Sequence, residues 1–133
     1  MVKRFSIHEK ETLLILTTKY MKKVLMGIAA SPGIAKGKVK IVTGIEDTPS
    51  FREGSVLVTQ VTDPTMIVMM GKASAIVCDH GGITSHPAIL SREMGIPCVV
   101  NTLHATTTLK DGTEILVDGT KGEIFITDSK YSA

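Results

Sequence analysis

The sequence predicts an α/β fold, with layered sheets carrying helices packed on them and an N-terminal helix ahead of them. Three observations lead there. Short apolar runs at strand period recur along the chain, bounded by glycine, proline and aspartate turns. Helices with clear start and stop signals fall between those runs. The 133 residues suit one domain, since domains run to roughly 100–200 residues. The total is roughly seven strands and three helices, and their alternation excludes a helical bundle.

Composition excludes several function classes. Hydrophobic residues are 43% and charged residues 21%, the balance of a globular chain and not of a disordered one. A chain of this size buries about two-thirds of its unfolded surface, enough for a real core. The net charge of +2, with two Tyr, three Phe and no Trp, gives neither the basic footprint nor the stacking platform of a nucleic-acid binder. No apolar stretch approaches the ~20 residues of a membrane span. Cys78 and Cys98 lie in β-like apolar runs and read as reduced core thiols, which fits a reducing cytoplasm. Met21-Lys22-Lys23 before Val24 to Ala30 imitates a signal peptide. It is internal, its apolar core is about seven residues, and Gly27 interrupts it, so secretion is not expected.

Residues 1–23 read as an N-terminal helix or linker, and 24–133 as the domain. Ser6 and Glu9 form a capping-box pattern. Leu13, Leu16, Tyr20 and Val24 then recur at helical spacing. Such a helix either docks on the domain or leads to a partner. Val24 to Ala29 reads as a strand, and Ala30-Ser31-Pro32-Gly33 as a turn. Gly37 to Val42 alternates, with Val39 and Ile41 inward and Lys36, Lys38 and Lys40 outward. Those lysines read as a solvated strand face; a docking patch for an anionic partner is the lesser alternative.

A loop at 47–50 precedes a strand at Ser55 to Gln60. Asp63 and Pro64 open a short helix as N-cap and first residue. Met66, Ile67, Met69 and Met70 form its core face. Ala73 to Cys78 is a fully apolar, central strand. A helix at 87–94, a strand at 97–101 and an irregular polar stretch at 102–108 follow. Strands at Glu114 to Val117 and Glu123 to Thr127 close the chain around glycine turns.

The chemistry concentrates in Asp79-His80-Gly81-Gly82-Ile83-Thr84-Ser85-His86-Pro87-Ala88. Pro87 disfavours helical geometry in the residue before it, so His86 is expected to be extended and to cap the 87–94 helix. Gly95 is its left-handed terminator, and Pro97 prevents continuation. A helix start offers unpaired amides and about half a positive charge. Gly81 and Gly82 let the backbone approach a ligand and form an anion nest. Thr84 and Ser85 add hydroxyls. The positive helix end favours the neutral, nucleophilic ring, which can attack phosphorus while the amides stabilise the transferred charge.

Other constellations fare worse. His80, His86, His104 and Cys78 match no common zinc spacing. Adjacent Ser85 and His86 cannot orient as a protease pair. His80 either tunes a nearby phosphate or is a loop residue. Arg92 stands about 240° around the helix from His86 and either faces a partner or is a plain surface arginine.

The segment Gly81-Gly82-Ile83-Thr84-Ser85-His86, then Ser91-Arg92-Glu93, then Gly95-Ile96-Pro97-Cys98-Val99-Val100 resembles the mobile, phosphohistidine-bearing domain of the phosphoenolpyruvate-utilising enzymes. That family includes phosphoenolpyruvate synthase, pyruvate phosphate dikinase and Enzyme I of the sugar phosphotransferase system. Gly27 to Gly37, Thr62-Asp63-Pro64 and Leu109 to Gly122 resemble its entry, middle and exit pieces. The likeness covers about residues 24–127. It implies a swivelling β/β/α domain whose His86 is phosphorylated, with Thr84 and Ser85 as site hydroxyls and Gly81, Gly82 and Ala88 binding the phosphate. It implies a phosphotransferase component, incomplete without its partner domains. Those partners bind nucleotide and phosphoenolpyruvate or pyruvate, and they hold Mg²⁺ with ATP or phosphoenolpyruvate. An alcohol acceptor, as in synthases resembling phenylphosphate synthase, stays open.

Pro87, Ser91 and Asn101 depart from the family's usual small residue, Ala and Gly. No Walker-type loop occurs, and the length leaves no room for an ATP-grasp or barrel domain. Two other readings are a non-catalytic regulatory or docking module with the same fold, and a piece of a longer enzyme in which residues 1–23 are a linker.

Overall fold

The computed structural model describes residues 21–127, together with Ser6, His8 and Glu9. Eight strands occur there: β1 (Lys22–Met26), β2 (Ile28–Ser31), β3 (Ile34–Ile41), β4 (Val56–Thr59), β5 (Ala75–Cys78), β6 (Cys98–Val100), β7 (Glu114–Asp118) and β8 (Glu123–Ile126). They join one mixed sheet of order β1-β8-β7-β3-β4-β5-β6-β2. The helices are α1 (Ile67–Lys72), α2 (His86–Met94) and α3 (Ala105–Thr108), with 3₁₀ turns at Ile45–Ser50 and Pro64–Met66. The mixed α/β class is the one expected.

Strand β3 changes partner along its length. Ile34 to Lys38 pair antiparallel with β7, and Val39 to Ile41 pair parallel with β4. The pairs β4–β5 and β5–β6 are also parallel. Parallel strands need crossovers, which α1 and α2 supply.

Strands β4 and β5 are buried throughout, which explains their continuous apolar sequence. Successive side chains point to opposite faces. Leu57, Ile76, Cys78, Cys98 and Val100 pack with Met69, Met70 and Ala88 of α1 and α2. Val56, Val58, Ala75, Val77 and Val99 pack with Ile115, Val117 and Ile124 of β7 and β8. Both cysteines are buried and free, as expected.

The sequence-derived boundaries need several corrections, among them the expected turn at 30–33, whose first two residues belong to β2, and the loop at 47–50, which lies in the 3₁₀ turn. The apolar run expected as one strand at 24–29 is two strands, β1 and β2, which pair at opposite ends of the sheet order. The chain turns between them at Gly27, where a Cβ would stand 2.4 Å from the Val100 carbonyl oxygen; no side chain fits there. Strand β1 begins at Lys22, inside the span read as helix or linker. Strand β3 begins at Ile34, three residues before its expected start. The stretch at 102–108 is not wholly irregular, because it contains α3. Of the N-terminal helix, the capping box is present: Glu9 N–H donates to Ser6 Oγ at 3.1 Å, and Ser6 N–H to Glu9 Oε1 at 3.0 Å. The helical positions from 10 to 20 lie outside the described residues.

Candidate functional site

The parallel strands β3 to β6 all end at one edge of the sheet, and the loops leaving that edge carry the polar residues. Thr62 and Asp63 follow β4, the segment from Asp79 to His86 follows β5, and Asn101 to Thr106 follow β6. Ligands in open α/β sheets bind outside the carboxyl ends of the strands.

His86 is the first residue of α2, and Ser85, with extended backbone (φ −72°, ψ 162°), is the N-cap. This corrects the expectation that His86 itself caps the helix. The restriction that proline places on its predecessor is a bias. Pro87 occupies the second helical position, where its missing N–H costs no bond. Gly95 terminates the helix in the left-handed conformation, φ 70°, as expected.

The His86 ring is half-buried, and its Nδ1 lies 2.6 Å from the Thr62 hydroxyl oxygen. Thr62 is 9% exposed, so this contact is largely withdrawn from water. One ring nitrogen is thereby committed, and Nε2 is the nitrogen left for chemistry. In the sequence Thr62 stands out only within a flanking motif, with no role attached to it. The pair is 24 residues apart, and the one available signal was the Thr62-Asp63-Pro64 element.

The glycine loop differs in detail from expectation. Gly81 has φ 121°, a conformation open to glycine. A Cβ there would come within 2.9 Å of Ser85 Oγ. The Ser85 hydroxyl donates to the Gly82 carbonyl at 2.7 Å and is therefore spent on the loop itself. Thr84 is exposed and Gly82 half-buried. The Ala88 side chain is fully buried in the core, so only its amide can serve a ligand. The amides of Gly82, Ile83, Thr84, His86 and Ala88 have no hydrogen-bond partner among the described residues. They are the available donors for an anion at this mouth.

Arg92 is exposed and makes two hydrogen bonds within the domain. One guanidinium nitrogen donates to the Ala30 carbonyl of β2, and the other to the Ile83 carbonyl, both at 2.7 Å. The fork ties the glycine loop to the edge strand, and charged donors make the stronger hydrogen bonds. No hydrogen bond joins His80 to His86 among the described residues; His80 is exposed, and its amide donates to the Gln60 carbonyl. Among the described residues no three His, Cys, Asp or Glu side chains converge on a metal-sized site.

Asp63 caps the turn ahead of α1. Hydrogen bonds from the Thr65 hydroxyl and amide hold its carboxyl below the usual carboxylate range, and His86 adds to the effect. A cleft of about 400 Å³, lined by Thr43, Thr59, Gln60, Val61, Asp63 and Thr106 among others, opens beside this turn.

A family model described as the mobile domain of PEP-utilising enzymes matches residues 51–122. The chain belongs to this family. It is 50% identical over 104 residues to the probable phosphoenolpyruvate synthase of Archaeoglobus fulgidus, covering 78% of this chain and 14% of that protein. It is 49% identical over 102 residues to the phosphoenolpyruvate synthase of Pyrococcus furiosus, covering 77% of this chain and 12% of that protein. A solution structure of an Enzyme I protein aligns with a TM-score of 0.53 at 28% identity, over 67% of this chain and 36% of that one. The chain thus spans 12–14% of the length of the two synthase relatives.

In this mobile domain the third loop of the edge is held by Asp79, which is 3% exposed. Its carboxylate accepts the Thr106 amide at 3.1 Å and the Thr106 hydroxyl. That anchors the start of α3, whose threonine-rich sequence has weak helix propensity. Asn101 and Leu103 in the same loop have φ 57° and φ 68°. The left-handed value at Asn101 is one that asparagine and glycine adopt more readily than other residues. No helix among the described residues is long and apolar enough to cross a membrane.

Proposed function

We propose that this chain is a phosphohistidine carrier domain. His86 takes a phosphoryl group from a donor bound on a partner and swings to deliver it to an acceptor. The Nε2 lone pair forms the N–P bond while the bond from phosphorus to the leaving oxygen breaks. That oxygen departs with the electron pair. Nδ1 keeps its proton and its N–H donates a hydrogen bond to the Thr62 hydroxyl oxygen, which fixes the tautomer that leaves Nε2 unprotonated. The loop amides from Gly82 to Thr84 and those of His86 and Ala88 neutralise the transferred group. Delivery reverses the step on an acceptor oxygen.

The observation that carries this reading is the Thr62–His86 contact, placed beside amides with no other partner. Pyruvate and phosphoenolpyruvate are the favoured carbon couple, because the synthase relatives are named for that product. ATP or phosphoenolpyruvate, with Mg²⁺, would be held by partner domains, and the relay would operate in the cytoplasm.

Two arms test it. Phosphoramidate, a chemical donor that needs no partner, should give one acid-labile, alkali-stable phosphate, assigned by ³¹P NMR to Nε2 of His86. Partner domains with ATP or phosphoenolpyruvate should load the same atom faster. His86→Ala should lose both signals. Label that persists in His86→Ala, or that spreads evenly over His80 and His104, would refute the carrier role.

A further inference from the structure

The three outward lysines of β3 do not share one environment. Lys36 pairs with Glu114 at 3.4 Å. Lys38 and Lys40 instead line, with Val39, Ser50, Arg52, Ser55, Asp111 and Gly112, an open cavity of about 260 Å³. An adjoining groove of about 180 Å³ shares Lys38, Arg52 and Ser55 with it and adds Glu53 and Gly54. Lys38, Lys40 and Arg52 have no ion pair among the described residues. The single carboxylate of the main cavity, Asp111, accepts the Ile41 amide. Three cations therefore line the main cavity with one already engaged anion, while Glu53 stands in the adjoining groove and Asp47 lies within electrostatic reach of Lys40.

The place is distinct from the histidine site. Arg52 and Ser55 lie before β4, whereas Thr62 lies after it, so the two sites sit at opposite ends of the same strand. The cavity is smaller than the roughly 300–1,000 Å³ of pockets for drug-sized ligands. Its lining carries three cations and two hydroxyls beside the apolar stems of those side chains and Val39, and none of the exposed large apolar side chains borders it, which disfavours a lipid surface. We propose that this cavity is a second anion site, one that takes a small, soluble phosphate-bearing molecule. Arg52 offers a planar donor fork, and the two lysines act as point charges around it.

The test is an NMR titration of the ¹⁵N-labelled full chain with inorganic phosphate and with pyrophosphate, against sodium chloride at matched ionic strength. The expected result is saturable shifts at the amides of Lys38, Lys40, Arg52, Ser55 and Gly112, stronger for pyrophosphate. The pair Lys38→Gln with Arg52→Gln should weaken binding about tenfold or more, and His86→Ala should bind as the parent does. Both replaced side chains are exposed, so the spectrum elsewhere should be retained. Shifts that sodium chloride reproduces without saturation would overturn the proposal, as would saturable shifts confined to residues 81–88.

Discussion

The middle of the parallel sheet and its carboxyl edge solve opposite problems with adjacent residues. Ile76 and Val77 are fully buried and touch only neighbours that would suit any well-packed core. Two residues on, Asp79 is just as buried but spends its carboxylate holding another loop. The strand interior is held by area removed from water, and the edge by individually placed hydrogen bonds. Damage to the first should therefore act on folding, and damage to the second on geometry at His86.

Ile76→Ala tests the first half most severely. It empties a site packed between β4, β6 and the helices, and should cost about 2–5 kcal/mol. Urea unfolding would measure this, and any protein still folded should load phosphate normally. Arg92→Gln comes next. Losing two charge-assisted bonds from a partly exposed group should cost about 1–2 kcal/mol. It should also slow loading, because the glycine loop loses its tie to β2; Arg92→Lys should restore stability only in part, since an ammonium cannot span both carbonyls.

Thr62→Val keeps the shape but removes the hydroxyl facing Nδ1. Loading should fall about tenfold, equivalent to about 1.4 kcal/mol, with an altered tautomer balance in the His86 ¹⁵N spectrum. The unfolding midpoint should move little. If Thr62→Val unfolds the protein as readily as Ile76→Ala does, the division between core and edge fails.

The smallest effect is alkaline. Burial pushes the Cys98 thiol from 9.0 to about 11, against a lowering contribution from Ser91, and burial raises Cys78 as well. A raised thiol means the folded state keeps its proton after the unfolded state has lost it. The contribution is constant below the ordinary thiol value and declines as pH climbs from about 9 toward 11. The Cys98 share of the fall should be about 1 kcal/mol near pH 10, and the decline should become shallower in Cys98→Ala, with the Cys78 share remaining. Alkylating reagents at pH 8 should label neither cysteine until the protein unfolds.

The same division decides what could be read from the chain beforehand. Strands β4 and β5 were legible because a buried parallel strand must be apolar throughout, and α2 because Pro87 and Gly95 bracket it. His86 was legible because its neighbours in sequence are also its neighbours in space. The break at Gly27 was hidden, since an apolar residue looks the same whichever end of the sheet it joins. Helix α3 was hidden because its support comes from Asp79, 27 residues away. The internal bonds of Arg92 were hidden because its acceptor at Ala30 is 62 residues distant. Hydrogen bonds of that span leave no periodicity behind.

The change of partner along β3 also governs how the molecule comes apart. The first five residues in its ladder hold the antiparallel strands, and the last three hold the parallel ones. Neither group can unzip without loosening the backbone that the other grips. The amides of β3 and its partners should therefore exchange with deuterium as one unit, at rates set by global opening, while the loops around His86 exchange independently and sooner.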